Sequence, residues 1–351
     1  MSLFGNLFHK APATSALLIN IGANSVGGAY VQESGGPPVL LYAKRVPIEA
    51  RAGEAPETSI SRALPLLVAS LLNEGAPALQ RATGSGAAEG ILVCLDAPWQ
   101  TTSMRVERIE EARPFVFTER LVNEKLASAS QVPLGQVLVD ESLVGTVLNG
   151  YETSEPYGKH AQQAIIVILV SSVATKIAEA IALALRQAYH TRQISLIAGA
   201  SLRYQAMRAA FPLERNFLIL DATGPEIAIA LVRHGLLVAI REAPDGGAGD
   251  AKWSAEVRGA LAALAASYPL PQVIFLLAQE GEMERLSAVL DAANLGTLWL
   301  SDNPPKVVAL TAQHLAGMVS VKNDLPPDLL LSLMALYLKS LSPMPVASRP
   351  V

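Results

Sequence analysis

The sequence predicts a duplicated α/β fold, in which mixed sheets are flanked by helices and a small α+β unit is inserted into the first half. Strand-like and helix-like segments alternate along the 351 residues, which is typical of α/β proteins. One strand–turn–strand segment occurs twice. Between about residues 97 and 162 the elements become shorter and more polar, which indicates the insertion. A chain of this length has room for two or three domains.

The composition favours a folded protein and argues against nucleic-acid binding. Hydrophobic residues make up 51% of the chain and charged residues 17%, far from the composition of disordered segments. The 27 basic residues are outnumbered by 31 acidic ones, so no basic surface for a phosphate backbone is expected. Cys94 is the only cysteine and lies in the apolar run ILVCL, which predicts a small buried side chain without a disulfide.

The first half begins with a predicted meander of three short strands joined by turn-forming residues. Apolar residues at helical spacing then predict a helix over Ser59–Asn73. The segment Gly75–Gly90 is rich in Gly, Ala and Ser and is expected to be a loop, followed by a buried strand at Ile91–Leu95. The three strands of the meander are predicted at Ala16–Ile21, Ser25–Gln32 and Val39–Val46.

Within the insertion, an amphipathic helix is predicted at Thr118–Ala129 with Thr118 as its N-cap. The interrupted half is then expected to resume with a buried strand at Ala164–Val170. Lys176 and Glu179 fall in this very apolar region, so a strand followed by a helix explains it better than a membrane span. The elements predicted next are a helix at Val173–Tyr189, a strand at Gln193–Ile197 and a helix at Ala200–Ala210.

An internal repeat is the most informative feature. The string LLINIGANSVGGAYV at Leu17 aligns without a gap with LILDATGPEIAIALV at Leu218, so that Asn20 corresponds to Asp221. The offset between the copies is 201 residues (221 minus 20). Each copy is an apolar strand that ends in a polar residue, followed by a turn of small residues and a second strand. The repeat predicts two halves built on the same plan.

Together, these segments resemble the actin-like ATPase superfamily with its ribonuclease H-like sheets, in particular the branch of the pilus assembly protein PilM and the cell-division protein FtsA. The position of the insertion, after ILVCLDAP and before AIIVILVSS, is similar to that of the SHS2-like subdomain in this branch. The resemblance implies a leader at 1–12, a first half at 13–96 and 163–210, an inserted subdomain at 97–162, a second half at 211–341 and a disordered tail at 342–351.

The nucleotide motifs of that family are altered here. Where the family has an aspartate that holds metal-bound water, the string NIGANSV has Asn20, which is neutral. In the second motif Asp221 is kept, but Thr223 stands in place of a glycine, and its side chain is expected to crowd the backbone that approaches the phosphates. The segment before Val273 has room for one helix, so the subdomain that closes over the nucleotide is nearly deleted.

We therefore expect a vestigial nucleotide site, in which hydrolysis is lost or weak and no cofactor is required, although weak binding of ATP with Mg²⁺ remains open. No catalytic constellation or metal-ligand spacing occurs elsewhere in the sequence. The residues expected at the vestigial phosphate site are Asn20, Gly22, Asn24, Ser25, Asp221, Thr223, Gly224, Gly246, Gly247 and Gly281.

The start of the chain, MSLFGNLFHK, is similar to the short leader of PilM proteins and differs from a secretory signal. If this segment is helical, four apolar side chains share one side, which favours contact with a membrane surface or a partner, while a flexible tail is the alternative. The four residues are Leu3, Phe4, Leu7 and Phe8.

The resemblance implies an actin-like scaffold at the cytoplasmic face of the inner membrane, in a type IV pilus or type II secretion platform. In this interpretation the chain docks a short segment of a bitopic membrane protein between the insertion and the core, with walls at Arg105–Phe117 and Thr118–Ala129. One alternative is an FtsA-like membrane tether that polymerises through self-association, and another is an active actin-like ATPase.

Overall fold

The computed structural model describes residues 15–49, 51–129, 132–153, 155–189, 193–244, 249–299, 303–322 and 325–341. The chain forms three sheets with helices packed against them. The first half of the fold begins with the elements β1 (Ser15–Ile21), β2 (Ser25–Gln32), β3 (Val39–Pro47), α1 (Pro56–Ser70), α2 (Ala76–Thr83) and β4 (Gly90–Leu95).

The inserted unit and the return to the first half follow. The inserted unit consists of β5 (Gln100–Val116), α3 (Glu119–Ala129), β6 (Gln136–Leu148), β7 (Tyr151–Glu152) and β8 (His160–Ala174). The first half is completed by α4 (Thr175–Tyr189), β9 (Ile194–Ala198) and α5 (Gly199–Ala210).

The second half repeats the plan with fewer helices. Its elements are β10 (Phe217–Ala222), β11 (Glu226–Arg233), β12 (Leu236–Pro244), α6 (Asp250–Ala265), β13 (Val273–Ala278), α7 (Met283–Ala292) and β14 (Lys306–Ala309). The chain then adds the short strand β15 (Ser320–Val321) beside β3 and ends its described part with α8 (Leu329–Leu341).

The two larger sheets have the same topology, as the sequence repeat predicts. Their strand orders are β3-β2-β1-β4-β9 and β12-β11-β10-β13-β14, and β15 extends the first. The register also repeats, since Asn20 lies opposite Gly27 and Asp221 opposite Ala228, both 201 residues further on. The pairs β2–β3 and β11–β12 also have a register irregularity at the corresponding place, between Tyr30 and Val31 in the first sheet and between Leu231 and Val232 in the second. The fold is therefore duplicated, as expected.

The inserted unit is a four-stranded antiparallel sheet in the order β5-β8-β6-β7. The prediction that a strand at Ala164–Val170 resumes the core sheet is wrong, because these residues belong to β8 and pair with both β5 and β6. This pairing continues to Ala174, beyond the expected end of the insertion at 162. An apolar strand buried on both sides looks the same in sequence whichever sheet it joins, so periodicity could not assign it.

Of three further local predictions, the structure confirms two and contradicts one. Thr118 does cap α3, since its Oγ1 accepts a hydrogen bond of 3.2 Å from the backbone N–H of Leu121. The predicted loop over Gly75–Gly90 instead contains α2, which continues α1 through a single wide turn at Leu71–Gly75. Ala-rich segments are good helix formers, and in this segment that propensity prevails over the small-residue signal. Between β12 and β13 the described residues contain one helix, α6, as expected.

The hydrophobic core is continuous between the halves. One cluster joins Leu18 of β1, Phe217 of β10 and Leu169 of β8 with the buried face of α8. Helix α8 packs against α5 and reaches β1, β2 and β3. The last helix of the described residues thus returns to the first half, and it packs together with α5 against the shared core.

Candidate functional site

The candidate site lies where strand ends from both halves meet. Because β1 and β4 are parallel, their carboxyl ends lie at the same edge of the sheet, which brings Asn20 close to Asp96. The end of β10 supplies Asp221 from the second half, and α5 begins beside it. The side chain of Asn20 donates a 2.7 Å hydrogen bond from Nδ2 to Oδ2 of Asp96.

A buried arginine joins the carboxylates of the two halves. Nη1 of Arg203 donates to Oδ1 of Asp96 at 2.7 Å. Its Nε lies 2.6 Å from Oδ2 of Asp221, a close ion pair without the alignment of a hydrogen bond. Only 4% of Arg203 and 6% of Asp96 is exposed to solvent. The guanidinium thus forms a charged bridge across the cleft.

The protonation states of this bridge are fixed by its charges. Burial acts to lower the pKa of Arg203, but the carboxylates of Asp221 and Asp96 outweigh burial and raise it. Burial likewise acts to raise the pKa of Asp96, yet the charge and hydrogen bond of Arg203 and the hydrogen bond of Asn20 lower it overall. Burial and the charge of Asp96 raise the pKa of the neighbouring Cys94 thiol, which stays neutral. Arg203 and Asp96 are therefore both ionised at neutral pH.

The first residue of α5 has to be a glycine for the bridge to form. A Cβ atom placed on Gly199 would overlap with Oδ1 of Asp96 and Nη1 of Arg203. The absence of a side chain lets the carboxylate and the guanidinium meet directly beside the helix start. The sequence Ala198-Gly199 at the end of β9 thus serves the geometry of the site.

The first predicted phosphate turn, between β1 and β2, is covered by a second arginine. Nη1 of Arg45 donates to Oδ1 of Asn20 at 3.1 Å and to Oγ of Ser25 at 3.0 Å. The same guanidinium is held by both carboxylate oxygens of Asp328, just before α8. It lies so close to Gly27 that a Cβ atom there would come within 2.7 Å of it.

The backbone of this turn is also engaged. The N–H of Gly22 donates to the carbonyl of Ser25 at 3.0 Å, and the indole N–H of Trp99 donates to the carbonyl of Gly22 at 2.6 Å. Asn24 is exposed at the tip, where its carbonyl accepts from the N–H of Ile48. The structure therefore brings Asn20, Gly22 and Ser25 together, with Asn24 at their margin.

The second predicted turn, after β10, uses its threonine in the charged bridge. The hydroxyl of Thr223 donates to Oδ1 of Asp221 at 2.6 Å, and its backbone N–H donates to the same oxygen at 3.0 Å. Nη2 of Arg203 donates to that hydroxyl at 3.2 Å. Thr223 thus orients Asp221 toward Arg203. From the sequence, Thr223 was expected only to crowd the turn where the related family has a glycine, and this hydrogen-bonding role was not predicted. Gly224 follows and lines the cleft.

The space that remains in the cleft is small and acidic. The cavity has a volume of about 50 Å³, whereas pockets for drug-sized ligands measure roughly 300–1,000 Å³. Four carboxylates and one guanidinium line it, from Asp96, Asp221, Glu226, Glu242 and Arg203. Partial burial, followed by the charge of Glu226, raises the pKa of Glu242. The excess of negative charge disfavours a phosphate chain.

Of the remaining predicted site residues, Gly281 is described by the structure and does not line this cleft. Gly281 lies in a short turn, Glu280–Glu282, after β13, where nothing approaches within 4 Å of a Cβ atom placed on it. Six others lie outside the described residues, namely Gly246, Gly247, Leu3, Phe4, Leu7 and Phe8.

Three residues that build the site were not predicted from the sequence: Asp96, Arg203 and Arg45. A signal for Asp96 was present, because it ends the apolar strand ILVCL next to the strand that ends in Asn20. In the predicted helix, Arg203 lies among the apolar residues Leu202, Ala206 and Met207. A charge buried among apolar side chains needs an oppositely charged or hydrogen-bonding partner. Arg45 has no comparable signal, since it lies in a partly polar edge segment.

Within the described ranges, no group of three or more His, Cys, Asp or Glu side chains is arranged to hold a metal ion. None of the helices that these residues form has the length and apolar character needed to cross a bilayer. The carboxylate oxygens that could have met a cation are already engaged: Oδ1 of Asp96 and Oδ2 of Asp221 lie against Arg203, and the other two oxygens accept hydrogen bonds from Asn20 and Thr223.

The chain is similar to solved structures although no family model matches it and no curated protein matches it in sequence. A structure described as the PilM-PilN type IV pilus biogenesis complex superposes with a TM-score of 0.59 at 15% identity, covering 95% of this chain and all of the other. A Bacteroides thetaiotaomicron protein of actin-like ATPase fold and unknown function covers 92% and 96% of the two chains, with a TM-score of 0.47 at 8% identity.

The cytoplasmic domain of EpsL, an inner-membrane component of the Vibrio cholerae type II secretion system, covers 93% of this chain and 95% of its own, at 11% identity and a TM-score of 0.39. At these identities the similarity shows the fold alone. Of the three structures, the PilM–PilN complex has a TM-score above 0.5 and supports the fold assignment. With its two matching sheets and its inserted unit, the chain thus has the actin-like fold of PilM, as the sequence resemblance predicts.

Proposed function

We propose that this protein is an actin-like scaffold without nucleotide hydrolysis, which works at the cytoplasmic face of a membrane and docks a segment of a bitopic membrane protein. The observation that carries the proposal is the bridge from Asp96 through Arg203 to Asp221. It fills the place between the two halves where the related fold would hold a cation and phosphates.

The bridge opposes phosphoryl transfer for chemical reasons. That reaction depends on positioning and on cationic groups that neutralise the charge developing on the transferred phosphoryl group. Here the carboxylates that could hold a cation are neutralised by an internal guanidinium. Asn20 is a hydrogen-bond donor to Asp96, a role that an aspartate at this position could not fill. Displacing Arg203 would leave buried carboxylates unpaired, which is costly.

The scaffold role draws on the fold and on the sequence resemblance. The solved structure with the same fold contains PilM together with PilN, and the resemblance implies a bitopic partner for this chain as well. The walls expected for the docking segment are β5 and α3 of the inserted unit. In the structure, α3 packs Val122 onto the sheet and leaves much of its outer face exposed.

Nucleotide titration tests the catalytic half of the proposal. We expect calorimetry with ATP and Mg²⁺ to give no saturable binding in the micromolar range, and phosphate release at the level of a blank. The matched variant is Asp221→Asn, which keeps the shape of the side chain and removes its charge. Hydrolysis by the wild type that disappears in this variant would contradict the proposal and favour an active ATPase.

Peptide binding tests the docking half. The probes are synthetic peptides with the cytoplasmic N-terminal sequences of the bitopic proteins encoded beside this gene, measured by fluorescence anisotropy. We expect one peptide to bind saturably, and the substitution Val116→Asp at the half-exposed end of β5 to weaken it at least tenfold. Leu213→Asp, at an exposed loop residue elsewhere, serves as the control. Equal affinity of the two variants would refute the assigned walls.

A further inference from the structure

The inserted sheet has a long free edge, which is formed by β5. This strand pairs with β8 without interruption from Gln100 to Glu110. It is the terminal strand of its sheet, and within the described ranges no strand pairs with its other side. An edge strand presents a row of backbone N–H and C=O groups that another strand can pair with, and proteins usually shorten or cover such edges.

One apolar side chain is exposed at the middle of this edge, between charged neighbours. Val106 lies at the centre of the regular segment and is 55% exposed, in contrast to Ile109 in the same strand, which is buried. Arg105 and Glu107 flank it, and their side chains form an ion pair of 3.1 Å on the opposite face of the strand. Beyond Glu110 the register breaks and Pro114 follows, so that only the segment up to Glu110 offers a regular edge.

Symmetry restricts how this edge could pair with its own copy. Two identical edges related by a two-fold axis run antiparallel, and each residue then faces a residue of the copy whose side chain lies on the same face of the sheet. Neighbouring residues of a strand point to opposite faces of the sheet. The axis therefore has to lie between one central residue and the same residue of the copy, and it cannot lie between two residues that are neighbours in sequence. Each choice of central residue defines one register.

Charge selects among these registers. An axis at Arg105, Glu107 or Arg108 would place two like charges directly opposite each other. An axis at Ile109 would pair Arg108 with Glu110 of the other chain, but it would also place Glu107 opposite Glu111 and would centre the interface one residue from the end of the regular edge. An axis at Met104 would bring no opposite charges together. With the axis at Val106, Val106 faces its own copy, and Arg105 of each chain lies opposite Glu107 of the other. Opposite charges in facing positions stabilise a strand pair, and like charges destabilise it.

We propose that two copies of this protein associate through the β5 edge, around a two-fold axis at Val106, and so join the two four-stranded sheets into one. The inference does not require the proposed scaffold function, but it uses the same strand, β5; variants at Val106 test the dimer, and the variant at Val116, beyond the regular edge, tests peptide docking. Strand pairing over about ten residues makes a small interface, so the dimer is expected to be reversible and dependent on concentration.

A pair of charge variants tests the register. Sedimentation velocity should show wild-type dimers whose fraction rises with protein concentration, whereas Val106→Asp and Val106→Lys should each be monomeric because like charges meet at the axis. An equimolar mixture of the two variants should recover the dimer. Leu183→Asp changes a residue of similar exposure, 59%, on α4 and should leave the dimer intact. A monomeric wild type, dimeric single variants or failure of the mixture would each overturn the proposal.

A cysteine variant gives a second, covalent measurement. The Cα atoms of facing residues in an antiparallel pair are roughly 4.5–5.5 Å apart, within the range that a disulfide spans. The native Cys94 is buried, so Val106→Cys introduces the accessible thiol. Mild oxidation should convert this variant to a disulfide-linked dimer that a reductant dissociates, and Leu183→Cys should stay monomeric. Equal cross-linking of both variants would refute the axis at Val106.

Discussion

At the scale of single residues, Arg203 is the group that links the two halves at the cleft. Its guanidinium neutralises Asp96 from the first half and Asp221 from the second, and the hydroxyl of Thr223 completes its surroundings. A buried ion pair of this kind gives limited net stability, but removing one of its members is costly, because a charge then remains without compensation. The bridge is therefore a sensitive point of the structure.

Replacing Arg203 by leucine should destabilise the fold strongly. Asp96 would keep its burial and lose its cationic partner, so we expect a loss of about 3–5 kcal/mol in the free energy of unfolding. Urea denaturation followed by tryptophan fluorescence measures it. Arg120→Met, in an exposed pair on α3, should change the free energy by less than about 0.5 kcal/mol. Similar values for the two variants would show that the bridge is not needed for stability.

The lowered pKa of Asp96 predicts how stability depends on pH. Because this pKa is lower in the folded than in the unfolded protein, the stabilisation is present above the ordinary aspartate pKa of about 3.9 and is lost as the pH falls through the folded value. Urea midpoints measured from about pH 6 to pH 2 should therefore fall more steeply for the wild type than for Asp96→Asn. Parallel curves would indicate that Asp96 keeps its ordinary pKa.

At the scale of elements, the start of α5 matters most for the site. The helix begins at Gly199, directly after β9, and its first turn carries Arg203 into the cleft. Strand ends place the acidic partners, because β4 is parallel to β1 and the end of β10 faces them both. The site is thus built by regular elements, with the turns between strands supporting it.

Two glycines in helices provide a matched test of this geometry. Gly199→Ala should cost about 1–3 kcal/mol, because the added methyl overlaps with Asp96 and Arg203. Gly259→Ala, in the exposed middle of α6, meets no atom within 4 Å and should gain about 0.5–1 kcal/mol from helix propensity. Thermal unfolding of both variants gives the comparison. A neutral or stabilising effect at Gly199 would contradict the close contact described here.

At the scale of the whole molecule, the duplicated sheets share one core. The cluster that contains Leu18, Leu169 and Phe217 extends over both halves and the inserted sheet, and α8 fills its centre. Because the two halves and the inserted sheet bury side chains in the same cluster, the stability of each depends on the others. The shared core and the charged bridge thus both connect the two halves.

Truncating a side chain of α8 should therefore weaken the entire molecule. Leu333 is fully buried in the shared core, and Leu333→Ala should cost about 2–5 kcal/mol. Trp99 lies near the first half, and Trp253 and Trp299 lie in the second. When the fluorescence of each tryptophan is observed alone, we expect the three urea midpoints to shift together to lower concentration. A shift confined to one half would show that the halves unfold independently.

The sequence by itself determined the duplicated α/β plan, since the repeat and the apolar periodicity are local patterns that specify strands, helices and their order. The offset of 201 residues even anticipated the register of both hairpins. It also located Asn20, Asp221 and Thr223 beside one cleft, because strand ends of matching sheets meet there.

The tertiary structure alone decided what fills that cleft. Arg203 is 107 residues from Asp96 along the chain, and no periodic signal connects positions so far apart. The same limit explains β8, whose apolar run suited either sheet until pairing with β5 and β6 fixed it. Hydrophobic patterning describes what each segment buries, whereas the partner of a buried charge depends on which strand ends and helix starts the fold brings together.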